Sequence, residues 1–561
     1  IPTNGYLIVF ASGNDTTDPA GNPHTNFRLS SQGEFLALVA PDGSSIADAL
    51  TPTYPGQFSD ISYGRPTGGD SYLFFAIPTP GLANGAGSPG VVKDTNFSQN
   101  RGFYDAPISL AITSDTPGAT IRYTRDGSLP SLSNGQTYSS PITISTTTNV
   151  RAIAYLEAQN FLPTNVDTHT YIFVDDVAQQ PASPAGWATD WGFDSQVGQI
   201  IPSDYAMDQR VVNDTLGLRS EGYSIRDALL DIPSVSITMK QGDFVKSQSE
   251  KTGGDTQSLY GTPRERFEKI CSIEYLLPDG TQGFQEDCKI ETHGNSSRTP
   301  SRMQKHSLRL TFSNEVGIGK LRYNLFPDSP VDEFNKLVLR ACFTDSWALA
   351  SWSSARYRPN DSLYMRDVWM KETFGAMGQQ TSYGNFVHLY VNGIYFGLHN
   401  LTERLEDDFY ADHVGGNKED WEVNADLTSP SSSIPLWNSM ISTLNGPIET
   451  EAGYEAAKAK IDVTNYADWI ILHLFGDAED WPVKNAYAAA NAVSGDGRYR
   501  FNVWDQEIAL DKYSWNRYNS TGTGMVPFQR LRRNEDFKMH FADRVFKHMF
   551  DGGALTVVEA N

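Results

Sequence analysis

A change of sequence pattern divides this chain. Up to about residue 403, short runs of alternating apolar and polar residues are separated by Gly, Pro, Asp and Asn, which is typical of β-strands joined by turns. After about residue 435, apolar residues recur at helical spacing. A chain of 561 residues also exceeds what one hydrophobic core usually accommodates. The sequence therefore predicts several domains, β-rich at first and of mixed α and β structure later.

The acidic composition argues against nucleic acid as a partner. The formal net charge is −23 and the sequence pI is about 4.8, and no basic patch offsets this acidity. The 26 Tyr, 29 Phe and 30 Pro residues are typical of well-packed, turn-rich β structure. No apolar run approaches the roughly 18–20 residues that a transmembrane helix requires, so we expect no membrane span in this sequence.

Two β domains are predicted in the first part of the chain, at residues 1–92 and 93–176. The second domain has strands at the spacing of a β-sandwich. These strands lie in residues 108–112, 119–130, 142–145 and 149–155. The chain opens in mid-pattern with an apolar strand at residues 6–10, and we therefore expect that its start is processed or trimmed.

A stretch rich in Pro, Ala and Ser at residues 179–186 has no strand or helix periodicity and is typical of a linker. We interpret residues 177–232 as this linker followed by an irregular segment. Residues 233–561 are then predicted to form a third domain. A segment that begins near residue 552 does not finish before residue 561, so we expect this domain to be incomplete at its C-terminal end.

Within the third domain, strands come first and helices follow. Predicted strands cover residues 234–239, 271–277, 288–294, 305–312, 336–343, 385–391 and 394–405. Predicted helices cover residues 362–378, 405–413, 437–446, 452–461, 464–475 and 534–550. Asn392-Gly393 is a strong hairpin signal between two of the strands. The helix at 464–475 is apolar on nearly all sides and should be buried at the centre of the domain.

The cysteines allow two interpretations. Cys271 and Cys288 lie nearly equidistant from a Pro-Asp-Gly turn at residues 278–280, so they would face each other across a hairpin. They could form a cross-strand disulfide or remain two buried thiols. Cys342 is expected to be a core residue.

The buried helix leads directly into residues suited to phosphoryl transfer. Asp480 precedes Asn485 by five residues, and Asp505 lies on the second arm of the hairpin that follows. Kinases use one carboxylate to orient the nucleophile, and an amide and a second carboxylate to hold Mg²⁺ against a nucleoside triphosphate. Spacing alone does not distinguish Asp480 from its acidic neighbours Asp477 and Glu479.

A polar loop at residues 294–304, rich in Gly and Ser, is a second candidate element. In the strand after it, Lys305 and Arg309 share one face and apolar residues occupy the other. A loop of this kind followed by cations is one way to build a phosphate site. An ordinary solvated hairpin has the same pattern, so the sequence leaves both interpretations open.

Six segments taken in order resemble the CotH kinase family, atypical protein kinases of bacterial spore coats and secreted bacterial proteins. The segments are HGNSSR (293–298), KHSLRLTF (305–312), LVLRACFTDSW (337–347), LYVNGIYFGLHNLTER (389–404), DWPVKN (480–485) and VWDQE (503–507). The resemblance covers about residues 233–561. It implies a two-lobed α+β domain like that of protein kinases.

The two preceding domains resemble known modules as well. Residues 26–43 and 78–85 are similar to the second half of a lamin-tail domain, an immunoglobulin-like sandwich. Residues 118–130 and the strand at 149–155 resemble the small β-sandwich at the C-terminus of chitobiases. Together the resemblances imply a multidomain chain with two all-β sandwiches before the kinase-like domain. This layout implies a protein that is extracellular or on the surface of a bacterial cell.

The family resemblance also implies roles for single residues around the metal. Asp480 would be the catalytic carboxylate, and Asn485 and Asp505 would be metal ligands. Glu507 stands where the family usually has an aspartate, and it would be a further metal ligand with a reach longer by one methylene.

Further residues are implied to hold the nucleotide. Lys305 and Arg309 would contact its phosphates. Glu403 would lie near the base or help to order the site, because the crossover between the two lobes falls near residues 401–405. The implied cofactors are ATP and Mg²⁺ or Mn²⁺.

The expected function is metal-dependent transfer of phosphate from ATP to Ser or Thr of a protein acceptor at the cell surface or in the matrix. The β domains could in addition contact glycans. Two alternatives remain open at this stage. The kinase-like domain could be inactive and serve as a surface adhesion or structural protein, or it could transfer AMP or ligate an amino acid.

Overall fold

The computed structural model describes residues 5–18, 21–58, 61–251, 257–260, 267–347, 361–425, 427, 434–511 and 516–556. The chain divides into two compact units, Ile1–Phe173 and Val174–Asn561.

The first unit begins with two short antiparallel ribbons. Their strands are β1 (Leu36–Val39) with β2 (Ile46–Leu50), and β3 (Ser62–Gly64) with β4 (Leu73–Phe75). The turn between β1 and β2 is held by Asp42, whose carboxylate accepts hydrogen bonds from the backbone amides of Ser44 and Ser45 at 2.8 Å each. Such Asp-centred turns are a common way to join two strands.

The rest of the first unit is a layered β structure. Its strands are β5 (Thr95–Phe97), β6 (Gly102–Tyr104), β7 (Ile108–Leu110), β8 (Ile112–Ser114), β9 (Thr120–Thr124), β10 (Gln136–Thr137), β11 (Ile142–Ile144), β12 (Thr148–Tyr155) and β13 (Asp167–Phe173). A five-stranded sheet has the order β10-β9-β12-β13-β6, and β11–β7 and β5–β8 form separate pairs. Buried side chains from the sheet and from both pairs form one core, as in a sandwich.

The segment interpreted as a linker and irregular stretch has short elements and packs on the next domain. Its elements are α1 (Val174–Ala178), β14 (Asp190–Asp194), β15 (Gln199–Pro202), α2 (Gln209–Val212) and α3 (Ile225–Leu230). Trp191 and Tyr205 are buried in the core of the following β-barrel. Gln180 accepts a hydrogen bond from the backbone amide of Tyr395 at 2.7 Å. The segment lacks periodicity because single aromatic residues, rather than a continuous apolar face, attach it.

Seven strands of the second unit close into a barrel with the order β16-β17-β18-β19-β22-β24-β23. The elements of this region are β16 (Ser234–Thr238), α4 (Gln241–Phe244), β17 (Lys269–Leu276), β18 (Gln285–His293), β19 (Ser307–Thr311), β20 (Leu321–Arg322), β21 (Glu333–Phe334), β22 (Lys336–Arg340), α5 (Arg366–Ala376), β23 (Gly384–Val391) and β24 (Ile394–Glu403). Leu308 and Leu310 of β19 lie in the barrel core, which agrees with the predicted apolar face of that strand.

The remaining elements form a mainly helical region with a small sheet. They are α6 (Asp407–Val414), β25 (Trp421–Ala425), α7 (Pro435–Leu444), α8 (Glu451–Lys458), α9 (Val463–Phe475), β26 (Ala486–Asn491), β27 (Arg500–Val503), α10 (Val526–Leu531) and α11 (Glu535–Met549). The sheet has the order β25-β26-β27. Helix α9 is buried along most of its length, as its apolar sequence predicts. A second hydrophobic core, separate from that of the barrel, surrounds it.

Candidate catalytic site

One end of the β26–β27 hairpin brings two predicted metal ligands together. The strands pair antiparallel, with Ala486 opposite Val503. Asn485 directly precedes β26 and Asp505 lies just after β27, so both residues are at this end of the hairpin. Nδ2 of Asn485 donates a hydrogen bond to the backbone carbonyl of Asp505 at 2.8 Å. Nε2 of Gln506 donates to the backbone carbonyl of Asn485 at 2.9 Å. Two residues 20 positions apart are therefore held in contact.

The backbone at this junction has an uncommon conformation. The φ angles are 56° at Asn485 and 59° at Asp505, in the left-handed region that non-glycine residues seldom adopt. Asn and Asp tolerate this region better than other residues. Strained backbone of this kind is concentrated at functional sites, so the junction is a candidate site on backbone geometry as well as on residue type.

Asp480 lies on the loop between α9 and β26. The next residue, Trp481, anchors this loop, because its buried ring packs against Trp469 of α9 with ring centroids 5.5 Å apart. Asp480 is half-buried and lines an open groove together with Lys484 and Arg517. The carboxylate predicted to be catalytic thus borders a surface that could receive an acceptor.

A buried arginine connects the hairpin end to two other elements. Nη2 of Arg340, at the end of β22, lies 2.6 Å from Oδ1 of Asp505 and 2.5 Å from Oε1 of Glu507. Its Nε lies 3.5 Å from Oδ2 of Asp367, in the first turn of α5. Nζ of Lys371, one turn further along α5, lies 3.0 Å from the same oxygen. These five residues are called the Arg340 cluster below.

The members of the Arg340 cluster differ in their access to solvent. The side chain of Asp505 is 42% exposed, whereas that of Arg340 is 5% exposed. The side chains of Asp367, Lys371 and Glu507 are buried as well. Two cations and three carboxylates give the fully ionised cluster a net charge of −1. Asp505 is therefore the member that can meet a solvent-borne cation, and the charge balance favours one.

Burial and neighbouring charges shift the pKa values of two carboxyl groups in opposite directions. Burial opposes ionisation of Asp367, but Arg340 and Lys371 outweigh it and lower the pKa of Asp367 to about 2. Burial raises the pKa of Glu507 to about 7 even though Arg340 acts against this rise. Asp367 is consequently a permanent anion that holds the two cations in place.

Glu507 uses both of its carboxylate oxygens within the protein. Oε1 meets Arg340, and Oε2 accepts hydrogen bonds from the backbone amide of Thr344 at 2.8 Å and from its hydroxyl at 3.0 Å. With these contacts, Glu507 is placed to orient the guanidinium of Arg340.

Trp504 forms an aromatic centre next to Asp505. Nζ of Lys371 lies 4.8 Å from its ring centroid, and the guanidinium carbons of Arg340 and Arg404 lie at 5.3 and 4.8 Å. The ring of His293, directly before the polar loop, meets the Trp504 ring edge-on at 6.3 Å. The start of the polar loop is thus adjacent to the hairpin end.

The two cations predicted to contact phosphates have partners on the barrel. Nζ of Lys305 lies 4.8 Å from the ring centroid of Phe396, and burial lowers the pKa of Lys305 to about 8. Arg309 forms ion pairs with Glu291 and, at 3.5 Å, with Glu406. The cation that reaches Asp505 in this structure is instead Arg340.

Glu403 is a buried connection between the barrel and α6. Its Oε1 lies 2.7 Å from Nε2 of His413, and its Oε2 accepts a hydrogen bond from the backbone amide of Tyr383 at 2.8 Å. The side chain is 4% exposed. Glu403 therefore orders the crossover after β24, where the sequence predicts the nucleotide base.

Two regions of the chain match known protein families. Residues 290–551 match the family model described as CotH kinase protein. The chain therefore carries a CotH kinase domain. Residues 99–163 match the family described as chitobiase/beta-hexosaminidase C-terminal domain, so the preceding β-sandwich resemblance is confirmed too. No curated protein matches the chain, and the lamin-tail interpretation of residues 1–92 stays a prediction.

Few donor atoms for a metal ion lie around the end of the β26–β27 hairpin where Asn485 and Asp505 meet. Among the described residues, no group of three or more His, Cys, Asp or Glu side chains is arranged to hold a metal. Asp505, with its exposed carboxylate, and the side-chain oxygen of Asn485 are the donors that fit one. Mg²⁺ is often bound through one or two protein carboxylates, with substrate phosphates and water completing its ligands. The residues present fit this mode of binding.

Three cluster members in the CotH domain were missed by the sequence analysis. Arg340 ends an apolar strand, where a buried charge is unexpected, and this was a usable signal. Asp367 and Lys371 have the i, i+4 spacing of a helical ion pair, but that spacing does not show that the pair is buried.

The described part of the chain contains no helix with the length and apolar character needed to cross a bilayer.

Proposed function

We propose that the CotH kinase domain transfers phosphate from ATP to a Ser or Thr hydroxyl of a protein acceptor in a metal-dependent reaction. The observation that carries this proposal is the junction of Asn485 and Asp505 at one hairpin end, with Arg340 fixed against Asp505 at 2.6 Å. A carboxylate, an amide and a cation converge there, as phosphoryl transfer requires. The family match at residues 290–551 supports the same reaction class.

In this proposal each chain residue has a defined task. Asp505 and Asn485 hold Mg²⁺ or Mn²⁺, which when bound neutralises charge on the nucleotide phosphates. Arg340 keeps the Asp505 carboxylate oriented, and Asp367 keeps Arg340 in place. Asp480 accepts the proton of the acceptor hydroxyl from its position on the groove after α9.

The groove beside Asp480 supports a proposal for the kind of acceptor. The groove beside Asp480 is open, so it suits a side chain presented on a protein surface better than a small buried substrate. We propose that the protein acts outside the cell or on the surface of a bacterium. Its β domains would then contact matrix or glycan components.

Two substitutions test the proposal. We expect Asp505→Asn to abolish metal-dependent ATP binding, because it removes a charged metal ligand. We expect Asp480→Asn to retain binding but to slow transfer by roughly 10²–10⁴-fold, the usual contribution of a general base. Calorimetry with ATP and Mg²⁺ measures binding, and mass spectrometry of the acceptor measures transfer. If Asp505→Asn bound metal and nucleotide like the wild type, the assignment of Asp505 would be wrong.

One observation favours a second candidate function, an inactive surface scaffold. Nη2 of Arg340 lies between carboxylate oxygens of Asp505 and Glu507 at 2.6 and 2.5 Å, so a protein cation already occupies one side of the Asp505 carboxylate. Failure of the wild-type chain to bind ATP with either Mg²⁺ or Mn²⁺ would favour this scaffold. Mass spectrometry also separates phosphate transfer from the remaining alternatives, because AMP or an added amino acid changes the acceptor mass differently.

A further inference from the structure

Gln506 lies between Asp505 and Glu507 in the chain, and it is only 3% exposed. Nε2 of its side chain donates hydrogen bonds to two backbone carbonyls, that of Asn485 at 2.9 Å and that of Trp504 at 2.8 Å. A glutamine amide has two N–H donors, and these two carbonyls account for both. One buried side chain therefore joins the backbone just before β26 to the backbone just after β27.

The two carbonyls belong to peptide units beside the left-handed residues of the hairpin end. The carbonyl of Asn485 is in the peptide unit that follows Asn485, and the carbonyl of Trp504 is in the unit that precedes Asp505. Because each peptide unit is planar, its rotation changes ψ of Asn485 or φ of Asp505. The left-handed conformation of these two residues, with φ of 56° and 59°, costs free energy when a Cβ atom is present. The hydrogen bonds from Gln506 offset this cost, because rotation of either unit would break one of them.

The backbone of Gln506 is itself anchored to α5. Its amide N–H donates to Oδ1 of Asp367 at 2.7 Å. The other carboxylate oxygen of Asp367 lies 3.0 Å from Nζ of Lys371 and 3.5 Å from Nε of Arg340, so Asp367 is fixed by two cations. The side chain of Gln506 consequently reaches the two carbonyls from a fixed point on the backbone.

We propose that Gln506 is a positioning residue, which holds Asn485 and Asp505 in the left-handed conformation that presents both of them to a metal ion. Its Nε2 donors are directed at the backbone, so this contribution acts through the two metal donors. Residues that orient metal ligands from outside the coordination sphere typically contribute about 10–100-fold to metal affinity or activity. The role in metal binding rests on the proposed function, whereas the two hydrogen bonds to the backbone do not.

Gln506→Met tests this role on the full chain, since methionine is close to glutamine in size but has no N–H donor. Calorimetry with ATP and Mg²⁺ measures the affinity of the variant. We expect metal-dependent ATP binding to be weaker than in the wild type by about tenfold or more. Binding as tight as that of the wild type would overturn the positioning role.

Gln180 provides a matched control for the loss of the same hydrogen bonds elsewhere. It is buried, and its Nε2 also donates to two backbone carbonyls, those of Tyr205 and Tyr395. Tyr395 lies in β24, and Tyr205 lies between β15 and α2. We expect Gln180→Met and Gln506→Met to lower the midpoint of chemical denaturation by similar amounts, but Gln180→Met to leave ATP binding unchanged. If the two variants weakened ATP binding equally, a general loss of stability would explain the result and the proposal would be wrong.

Hydrogen exchange followed by mass spectrometry, without metal or nucleotide, tests the hold on the backbone directly. We expect peptides that cover residues 484–487 and 503–507 to exchange faster in Gln506→Met than in the wild type, and to be unchanged in Gln180→Met. Unchanged exchange in Gln506→Met would overturn the proposal. If the wild-type chain bound no ATP with Mg²⁺ or Mn²⁺, the proposed function would fail, and the exchange result would still decide whether Gln506 holds this junction.

Gln506→Asn carries the same test if Gln506→Met does not fold. Asparagine keeps the amide but is shorter by one methylene, so it does not span the two carbonyls as glutamine does. We expect its affinity for ATP with Mg²⁺ to be lower than that of the wild type, and exchange at residues 484–487 and 503–507 to be faster. Wild-type values of both quantities in this variant would contradict the positioning role.

Discussion

Arg340 is the residue on which the candidate site depends most. Its guanidinium contacts Asp505 and Glu507, which follow β27, and Asp367 of α5. A planar group with several donors can serve carboxylates in different directions at once, which a lysine ammonium does less well. Removal of this cation would leave the buried Glu507 without a charged partner and would leave Asp367 with Lys371 alone.

We therefore expect Arg340→Gln to lower the free energy of unfolding by about 3–5 kcal/mol, the usual cost of breaking a buried ion pair from one side. Chemical denaturation of the full chain measures this change. Lys336→Gln is a control on the same strand, because Lys336 is half-buried and pairs with Glu406. It should cost about 1 kcal/mol or less. Equal losses in the two variants would show that the Arg340 cluster adds no particular stability.

At the scale of single elements, the β17–β18 hairpin has the register that the cysteine positions predict. Cys271 and Cys288 are direct cross-strand partners, and their sulfur atoms lie 3.6 Å apart as two thiols. Both are buried, as is Cys342. The hydrogen bond with Cys271, together with burial, raises the pKa of Cys288, and burial raises the pKa of Cys342. Cys288 and Cys342 are thus poor nucleophiles in the folded protein.

A thiol count distinguishes the two interpretations of the cysteine pair. We expect no reaction with Ellman's reagent in the native protein, since all three thiols are buried. After unfolding without reductant, three thiols should react if the pair is reduced. A count of one would show that Cys271 and Cys288 are joined by a disulfide.

The β23–β24 hairpin shows how a local signal also serves a distant contact. Asn392 and Gly393 have φ angles of 46° and 79°, as the predicted Asn-Gly turn requires. The Asn392 side chain in addition accepts from the backbone amide of Met239 at 2.9 Å and donates to its carbonyl at 2.8 Å. The turn residue therefore also ties β16 to β23 where the barrel closes.

At the scale of the whole second unit, buried neutral histidines couple stability to pH. Burial lowers the pKa of His306 and His473 to about 3 and that of His399 to about 4. In the unfolded chain their pKa is about 6.5. The unfolded state therefore binds more protons than the folded state at pH values between about 4 and 6.5. Their contribution to stability is complete above pH 6.5 and is lost as the pH falls below this value.

We expect the unfolding temperature of the full chain to be lower at pH 5 than at pH 7, as measured by calorimetry. Three such histidines amount to about 4 kcal/mol per pH unit at most, since each proton corresponds to about 1.4 kcal/mol. His473→Asn keeps a donor for the backbone carbonyl of Trp469, which Nδ1 of His473 contacts at 2.7 Å, but it cannot titrate. The stability of this variant should depend less steeply on pH, by the contribution of one titrating histidine. An unchanged pH dependence of its unfolding temperature would contradict this account.

The sequence predicted most of the secondary structure of the second unit because the relevant signals are local. Alternation, helical spacing and turn residues act over a few neighbouring residues. The contact between Asn485 and Asp505 was predictable for the same reason, because a single hairpin brings both to one end. The roles of Asp480, Asn485, Asp505, Lys305, Arg309, Glu403 and Glu507 in catalysis and binding stay predictions.

The amino-acid sequence by itself determined the order of strands and helices, the hairpin registers and the meeting of Asn485 with Asp505. Only the tertiary structure decided that Arg340, 165 positions before Asp505, is its partner, and that Lys305 and Arg309 face other groups on the barrel. A strand pattern shows which side chains share a face, but not which distant element covers that face. That choice depends on how the barrel, α5 and the hairpin pack, and packing between distant elements leaves no periodic mark in one sequence.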